Sequence, residues 1–251
     1  MVPLDTLAAL FESDQSRDRA FADGLIRMHF ARATDASERR EIAALFTRLR
    51  DAALRAHADL RASIAAGSMR GAVLRARFDE VPAAERDHFV EEVLGIAYPP
   101  LDERRLGPEL VAYQPSGYDE IVQALDVTNI DAGGRFLDIG SGMGKAVLLA
   151  ALLTGASSSG LELDAELHEI AKAQSEALGL ERVQFRRGDA REETLDEADV
   201  IFMYLPFTGE ALATVMTRLL TNARVWTARP AGRFLCGGAL DLVRYPELEV
   251  A

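Results

Sequence analysis

The sequence predicts an α/β protein, a doubly wound and mostly parallel sheet preceded by an all-helical region, and three observations carry that expectation. The stretch R-F-L-D-I-G-S-G-M-G-K-A, from Arg135 to Ala146, passes from a buried-strand pattern through alternate glycines into an apolar helical pattern. From Gly134 onward the order reads β, α, β, α, β, α, β, the alternation that builds a parallel sheet covered by helices. Before about residue 97, every periodic stretch has helical spacing instead.

The helical region divides into five stretches. Leu4, Leu7, Leu10 and Phe11 mark one face of a short first helix. Phe21, Leu25, Met28 and His29 mark the face of a second, interrupted by Gly24, which weakens a helix by roughly 1 kcal/mol relative to Ala. A third starts at Asp35 as N-cap, with Glu38 placed as in a capping box. Its apolar stripe is Ile42, Leu45, Phe46, Leu49, Ala53, Ala56, Leu60 and Ile64, and Gly67 ends it. Met69 to Phe78 forms a fourth, and Pro82 sits in the first turn of a fifth, whose face is Phe89, Val90, Val93 and Leu94. Arg70, Arg75 and Arg77 read as a solvated face rather than a binding site. Pro99, Pro100, Gly107 and Pro108 punctuate a boundary, giving a helical region 1–97, a linker 98–112 and a core 113–251.

Within the core, Ser116 or Gly117 starts a helix that carries Tyr118, Ile121, Val122 and Leu125 toward the sheet, behind a loop from Tyr113 to Pro115. The two tyrosines read either as a lid or as amphipathic packing. A first strand ends at Asp138, whose carboxylate is aimed into the corner made by Gly140, Gly142 and Gly144, and a helix follows from Ala146 to Leu153. Glycines at such a strand tip tolerate unusual φ/ψ and let backbone N–H groups approach a ligand. The second strand spans Ser158 to Leu163, and Asp164 caps a helix from Ala165 to Leu178 that Gly179 stops. Glu162 lies 22 positions beyond Gly140, where a carboxylate accepts hydrogen bonds from both hydroxyls of a ribose. The third strand is Val183 to Arg186, followed by Gly188 and Asp189, and the fourth is Val200 to Met203, after which Tyr204 to Phe207 leave the sheet. A helix from Gly209 to Leu220 leads to a last strand, Arg233 to Cys236.

Three ligand readings compete for the glycine loop. A P-loop requires G-x-x-x-x-G-K-[ST], but Ile139 stands five residues before Gly144, and Ala146 follows Lys145 where a hydroxyl should hold magnesium. A dinucleotide fingerprint, G-x-G-x-x-G, fails at Lys145. The D-x-G-x-G-x-G form that is present resembles the class I S-adenosylmethionine-dependent methyltransferases, which implies a Rossmann-like sheet and S-adenosylmethionine as cofactor. A glycine-rich turn without a ligand is the remaining alternative. The resemblance covers about Tyr113 to Gly238. It implies that Asp138, Gly140, Ser141, Gly142 and Gly144 hold the methionine end, Glu162 the ribose and Asp189 the adenine amino group, with Tyr113 in a lid. Asp189 read without the resemblance is a turn aspartate capping the next segment.

Within that class, Y-Q-P-S-G-Y-D (Tyr113, Ser116, Tyr118, Asp119), L-D-I-G-S-G-M-G-K-A-V-L and D-V-I-F resemble the disruptor-of-telomeric-silencing branch of histone lysine methyltransferases. Pro115, Tyr204 and Leu205 depart from that branch's pattern, and the chain is more similar to compact bacterial methyltransferases. Enzymes that methylate a nucleobase or glutamine amide carry [DN]-P-P-[YF] after the fourth strand. Only Pro206 and Phe207 of it stand here, with Tyr204 at the polar position. Tyr204 is the candidate catalytic residue, as a substrate-orienting group or weak base, or else a wall of the pocket; its unperturbed pKa near 10 is unsuited to unaided base work at neutral pH.

Composition narrows the partners. With 28 Lys+Arg against 40 Asp+Glu, the net charge of −12 argues against nucleic acid and suits a small-molecule or cationic protein substrate. A hydrophobic content of 49% and charged content of 27% fit a globular protein with a substantial core. One cysteine, Cys236, excludes an internal disulfide and a cysteine-built zinc site, and reads as an inert core thiol. His29, His57, His88 and His168 have no metal-ligand spacing, so no metal is expected. The acidic N-terminus is no signal peptide and no apolar run suits a membrane span of roughly 18 to 20 residues, so a cytoplasmic protein is expected. The thirteen residues after Gly238 are too few for the sixth and seventh strands of the class, so either the sheet is shortened or the sequence stops early. The expected function is methyl transfer to a protein side chain or small-molecule nucleophile, with the helical region covering the pocket, choosing the substrate or mediating a homodimer. The alternative is a silent S-adenosylmethionine-binding interaction protein. Glu162→Ala is expected to weaken cofactor binding without unfolding the core.

Overall fold

A computed structural model describes residues 4–13, 15–96, 115–195, 198–204, 206–226 and 233–236. The chain forms two compact units, Met1–Asp102 and Glu103–Ala251. The first is helical: α1 (Leu4–Phe11), α2 (Ser16–Arg32), α3 (Ala36–Ala56), α4 (Ala58–Ala65), α5 (Gly71–Asp79) and α6 (Ala83–Leu94). Asp35 caps α3 as expected, its Oδ1 accepting from the N–H groups of Ser37 and Glu38, while the Glu38 carboxylate reaches back to the N–H of Thr34. Leu7, Phe11, Ala22, Ile26, Ile42, Phe46 and Leu49 form its main core.

Two expectations fail in this unit, and one cluster explains both. The stripe expected on α2 is exposed at Phe21 and Met28, and the helix buries Arg19, Ala22 and Ile26 instead. The single helix expected from Asp35 to Gly67 is broken at His57, which separates α3 from α4. Arg19 is completely buried and donates to the Glu92 carboxylate through Nε (2.5 Å to Oε1) and Nη2 (2.8 Å to Oε2), and to the carbonyl of Ser13. His57 Nε2 lies 2.9 Å from Glu92 Oε2, His88 Nε2 3.2 Å from Oε1, and Ser16 Oγ donates to Oε2 at 2.8 Å. A buried guanidinium needs such partners, and meeting them sets the rotation of α2 and draws His57 inward, where its ring also packs edge-on against Phe89.

The second unit comprises α7 (Tyr118–Thr128), β1 (Arg135–Ile139), α8 (Lys145–Thr154), β2 (Ser157–Glu162), α9 (Ala165–Ala177), β3 (Val183–Arg187), β4 (Val200–Met203), α10 (Gly209–Trp226) and β5 (Arg233–Cys236). The strands lie in the order β3-β2-β1-β4-β5, every described pair parallel. That is the doubly wound, Rossmann-like sheet the sequence predicts, with the order reversing between β1 and β4. Gly117 stands at the N-cap of α7, which buries Tyr118, Ile121, Val122 and Leu125. Burial of Tyr118 (1% exposed) gives it a packing role. Lys145 to Leu152 of α8 are all buried, as an apolar helix covered on every side requires.

The expected alternation breaks once. Among the described residues no helix joins β3 to β4, although the chain passes from one edge of the sheet to the strand beside β1. Side chains hold this crossing in place of helix packing. Arg218 of α10 donates to the carbonyls of Ala190, Glu192 and Glu193, and Leu195 and Ala198 enter the core beside Ile201. Asp199 then accepts from the N–H and guanidinium of Arg135, aligning β4 with β1. The linker 98–112, Tyr113, Leu205 and the tail after Cys236 lie outside the described residues.

The Glu92 cluster predicts the acid response of the helical unit. Its guanidinium and imidazole partners outweigh burial and hold the Glu92 carboxyl far below the usual range. A carboxyl depressed in the folded state contributes stability above its ordinary pKa and loses it as pH falls below that value. Hydrogen exchange of α2 and α6 is therefore expected to accelerate on acidification, and Glu92→Ala, which strands the Arg19 charge, to lower the stability of this unit by about 3–5 kcal/mol at neutral pH.

Candidate functional site

The site is built at the carboxyl ends of β1 and β2. Residues paired across parallel strands share a face, so a row runs across the sheet through Phe202 (β4), Asp138 (β1), Gly160 (β2) and Phe185 (β3). Glu162, two residues beyond Gly160, lies on that face as well. Asp138 is 5% exposed with Phe202 beside it, and Phe136, one step down the same face, stacks on Phe202 at 6.2 Å between ring centroids. Burial among these rings, with the Glu162 charge second, pushes the Asp138 carboxyl up to about 8. Glu162 is also raised by burial, against the opposing pull of its backbone hydrogen bonds.

The glycines follow from packing as much as from turning. Gly140, Gly142 and Gly144 all have positive φ (75°, 53° and 85°). A Cβ on Gly140 would collide with Pro206, and one on Gly144 would lie 2.5 Å from Phe185 Cζ. The Phe185 ring also covers Gly160, where a Cβ would meet Phe185 Cδ1 at 2.7 Å and Ser141 Oγ at 2.6 Å. Pro206 and Phe185 are thus the residues that sequence reasoning missed in this site. Pro206 was visible only as part of a motif remnant, and Phe185 as an ordinary strand residue.

Four N–H groups of the loop are taken by the protein's own acceptors. Gly140 and Ser141 donate to the Leu161 carbonyl (2.9 and 3.1 Å), Gly144 to the Ser141 carbonyl (2.8 Å), and Gly142 to Glu162 Oε2 (2.7 Å). Glu162 Oε1 accepts from the N–H of Asp164 at 2.8 Å. Asp164 caps α9 with its own carboxylate, as expected. The N–H of Leu163 also favours the Glu162 carboxylate. The carboxylate thus ties two loops together, which places Glu162→Ala at odds with an intact loop.

Asp189 is partnered within its own turn. Its Oδ1 accepts from the Arg191 N–H (2.9 Å) and its Oδ2 from Arg191 Nη2 (2.6 Å), and this guanidinium holds its carboxyl below the usual range. Tyr204, just past β4, is exposed. Tyr113 lies outside the described residues. Among the described residues no group of His, Cys, Asp and Glu has a metal-binding arrangement.

The residues present fit a nucleoside carrying a cationic amino-acid arm. Ser141 Oγ is, among the described residues, the buried side-chain polar atom without a partner, and it stands over Gly160 in the gap between Asp138 and Phe185. An orphaned hydroxyl, a buried acid and a second carboxyl make a polar corner in otherwise apolar surroundings.

Residues 130–231 match a family model described as a methyltransferase domain. An RNA methyltransferase from Salinibacter ruber, solved with S-adenosylhomocysteine, is similar at 30% identity over 43% of this chain and 69% of that one, with a TM-score of 0.38. An S-adenosylmethionine-dependent methyltransferase from Thiobacillus denitrificans, also solved with S-adenosylhomocysteine, is similar at 27% identity over 42% of this chain and 45% of that one, with a TM-score of 0.35. The chain thus spans about two thirds of the first structure and less than half of the second. No curated protein matches the chain. Residues 130–231 are thus similar to a methyltransferase domain.

The raised Asp138 sets a testable pH dependence. In the folded state Asp138 keeps its proton up to about pH 8, whereas the unfolded side chain loses it near 4. The folded state therefore binds more protons between these values, and its stability falls as pH rises through them. Asp138→Asn has nearly the same shape without the buried charge. Its unfolding midpoint is expected to exceed the parent's by more at pH 9 than at pH 6, and a constant difference contradicts the burial of an ionising Asp138.

Proposed function

We propose that this chain transfers a methyl group from S-adenosylmethionine to a protein side chain or small-molecule nucleophile. The observation that carries this reading is the corner where Asp138, Ser141 and Glu162 converge behind a loop closed by its own hydrogen bonds. In it, Asp138 meets the methionine ammonium, Gly140, Ser141, Gly142 and Gly144 line the methionine arm, Glu162 accepts from the ribose, and Asp189 receives the adenine amino group. Asp189 must share or release Arg191 to do so. Tyr113 belongs to the lid. The sulfonium supplies the reactive methyl, and the chain's own task is to align it with the nucleophile and exclude water. Tyr204 borders the acceptor side, where an exposed phenol orients a substrate rather than takes its proton.

The proposed organisation is a helical region 1–97, a linker 98–112 and a catalytic core 113–251, with the helical region selecting the substrate or joining two chains. Net charge of −12 supports a small-molecule or cationic protein substrate over nucleic acid. The Y-x-x-S-x-Y-D stretch at Tyr113 to Asp119 supports kinship with the histone-lysine-methylating branch, and the compact core supports the bacterial one. No helix among the described residues is long and apolar enough to cross a membrane, and the proposed location is the cytoplasm.

Titration with S-adenosylhomocysteine and labelled methyl transfer into protein and metabolite extracts test this. Glu162→Gln, which keeps one carbonyl oxygen for the loop, is expected to remain folded and to bind the cofactor at least tenfold more weakly, a loss of about 1.4 kcal/mol. Unchanged affinity in the folded variant removes Glu162 from the ribose site. Tight binding without methyl transfer to any extract favours the silent interaction protein, a reading that Tyr204 at the usual polar position supports.

A further inference from the structure

Asp138 and Glu162 stand on one face of adjacent strand ends, the first walled by Phe202 and Phe136, the second holding two backbone N–H groups. Two carboxyls in one dry corner do not both ionise without a cation between them. The titratable groups on the surrounding elements include Glu162 on β2, Arg187 at the end of β3, Tyr204 past β4, Lys145 opening α8, Asp164 and His168 at the start of α9, and Tyr118, Asp119 and Glu120 in the first turn of α7. Of these, Glu162 is the group whose charge acts on Asp138, and it acts against ionisation. Glu162 is the member of the pair better able to carry the negative charge, because its hydrogen bonds from Gly142 and Asp164 favour the carboxylate.

We propose that S-adenosylmethionine binds this corner by exchange for a proton, the cofactor's ammonium replacing the hydrogen that Asp138 carries in the free protein. The inference rests on the assignment of Asp138 to the methionine arm made above. The Asp138 O–H bond breaks, the proton passes to buffer, and an ion pair with the ammonium takes its place, so the pair holds one negative charge before binding and two when the cationic arm is seated. Cofactor capture then depends on pH through the protein rather than through the cofactor. Below the Asp138 pKa, occupancy falls as the proton competes for the same oxygen. A nucleoside lacking the amino-acid arm has nothing to offer Asp138 and leaves the proton where it is.

Calorimetry with the full chain tests this, using S-adenosylmethionine and the neutral nucleoside methylthioadenosine in phosphate and in Tris, buffers of different ionisation enthalpy. With S-adenosylmethionine at pH 7, the difference in heats is expected to report release of about one proton, and affinity to rise about tenfold from pH 6 to pH 7. Methylthioadenosine is expected to bind with equal heats in both buffers and no such rise. Asp138→Asn is expected to abolish proton release, and Glu162→Gln to reduce it by lowering the Asp138 pKa. Binding of S-adenosylmethionine with equal heats in both buffers overturns the proposal and leaves the cofactor site standing, as does undiminished release from Asp138→Asn. Failure of both ligands to bind the folded protein overturns the site assignment and the proposal together.

Discussion

The carboxylate of Glu162 is the point on which the α/β unit turns. Its two oxygens tie the loop after β1 to the turn after β2, through the N–H of Gly142 on one side and that of Asp164 on the other. The N–H groups of Gly140, Ser141 and Gly144 close on Leu161 and Ser141. A glycine-rich loop has much conformational entropy to lose, and here that loss is met within the protein before any ligand arrives. Such a loop is preorganised, so cofactor binding need not order it. Burial is the main reason that Asp138 keeps its proton, and the Glu162 charge adds to it. The group that holds the loop thus also contributes to the titration of Asp138.

The helical unit shows the same physics in a different setting. Arg19 and Glu92 are buried together, and every polar atom drawn into the cluster serves the charge pair. Burying such a pair gives little net stability compared with apolar packing, while breaking it is severe. What the pair provides here is rotation and register. It turns α2 so that Phe21 faces outward, and it fixes where α3 gives way to α4. An apolar stripe alone would have placed Phe21, Leu25 and Met28 inside.

These two centres mark the limit of what the sequence shows. Features carried by neighbouring residues were legible: the N-caps Asp35 and Asp164, the start of α7 after Gly117, and strands β1, β4 and β5. Each follows from a periodicity or a cap within one turn of chain. The errors came from partners far apart. Arg19 and Glu92 are 73 residues apart, and no local pattern announces that a charged residue on α2 lies inside. The missing helix between β3 and β4 has the same origin, since Arg218 reaches back about two dozen residues to hold the crossing. Of the candidate site, Asp138 and Glu162 lie on one face of adjacent strands, a placement that strand periodicity gives, whereas the pairing of Asp189 with Arg191 follows from turn geometry that periodicity does not report.

The substrate side remains silent in the sequence for a chemical reason. A methyl on a cationic sulfur is already activated, so the acceptor side is under no demand for a charged catalytic group, and apolar residues that position and exclude water suffice. Pro206 illustrates how this misleads motif reading. It survives from a pattern associated with amide and nucleobase acceptors, yet its place here is explained by contact with Gly140, which has no Cβ to obstruct it. Pro206 packs directly against the glycine loop. Phe207, buried with Ala211 and Val215 of α10, is likewise explained by the core. The remnant therefore reports on how the loop after β4 is anchored rather than on an acceptor atom.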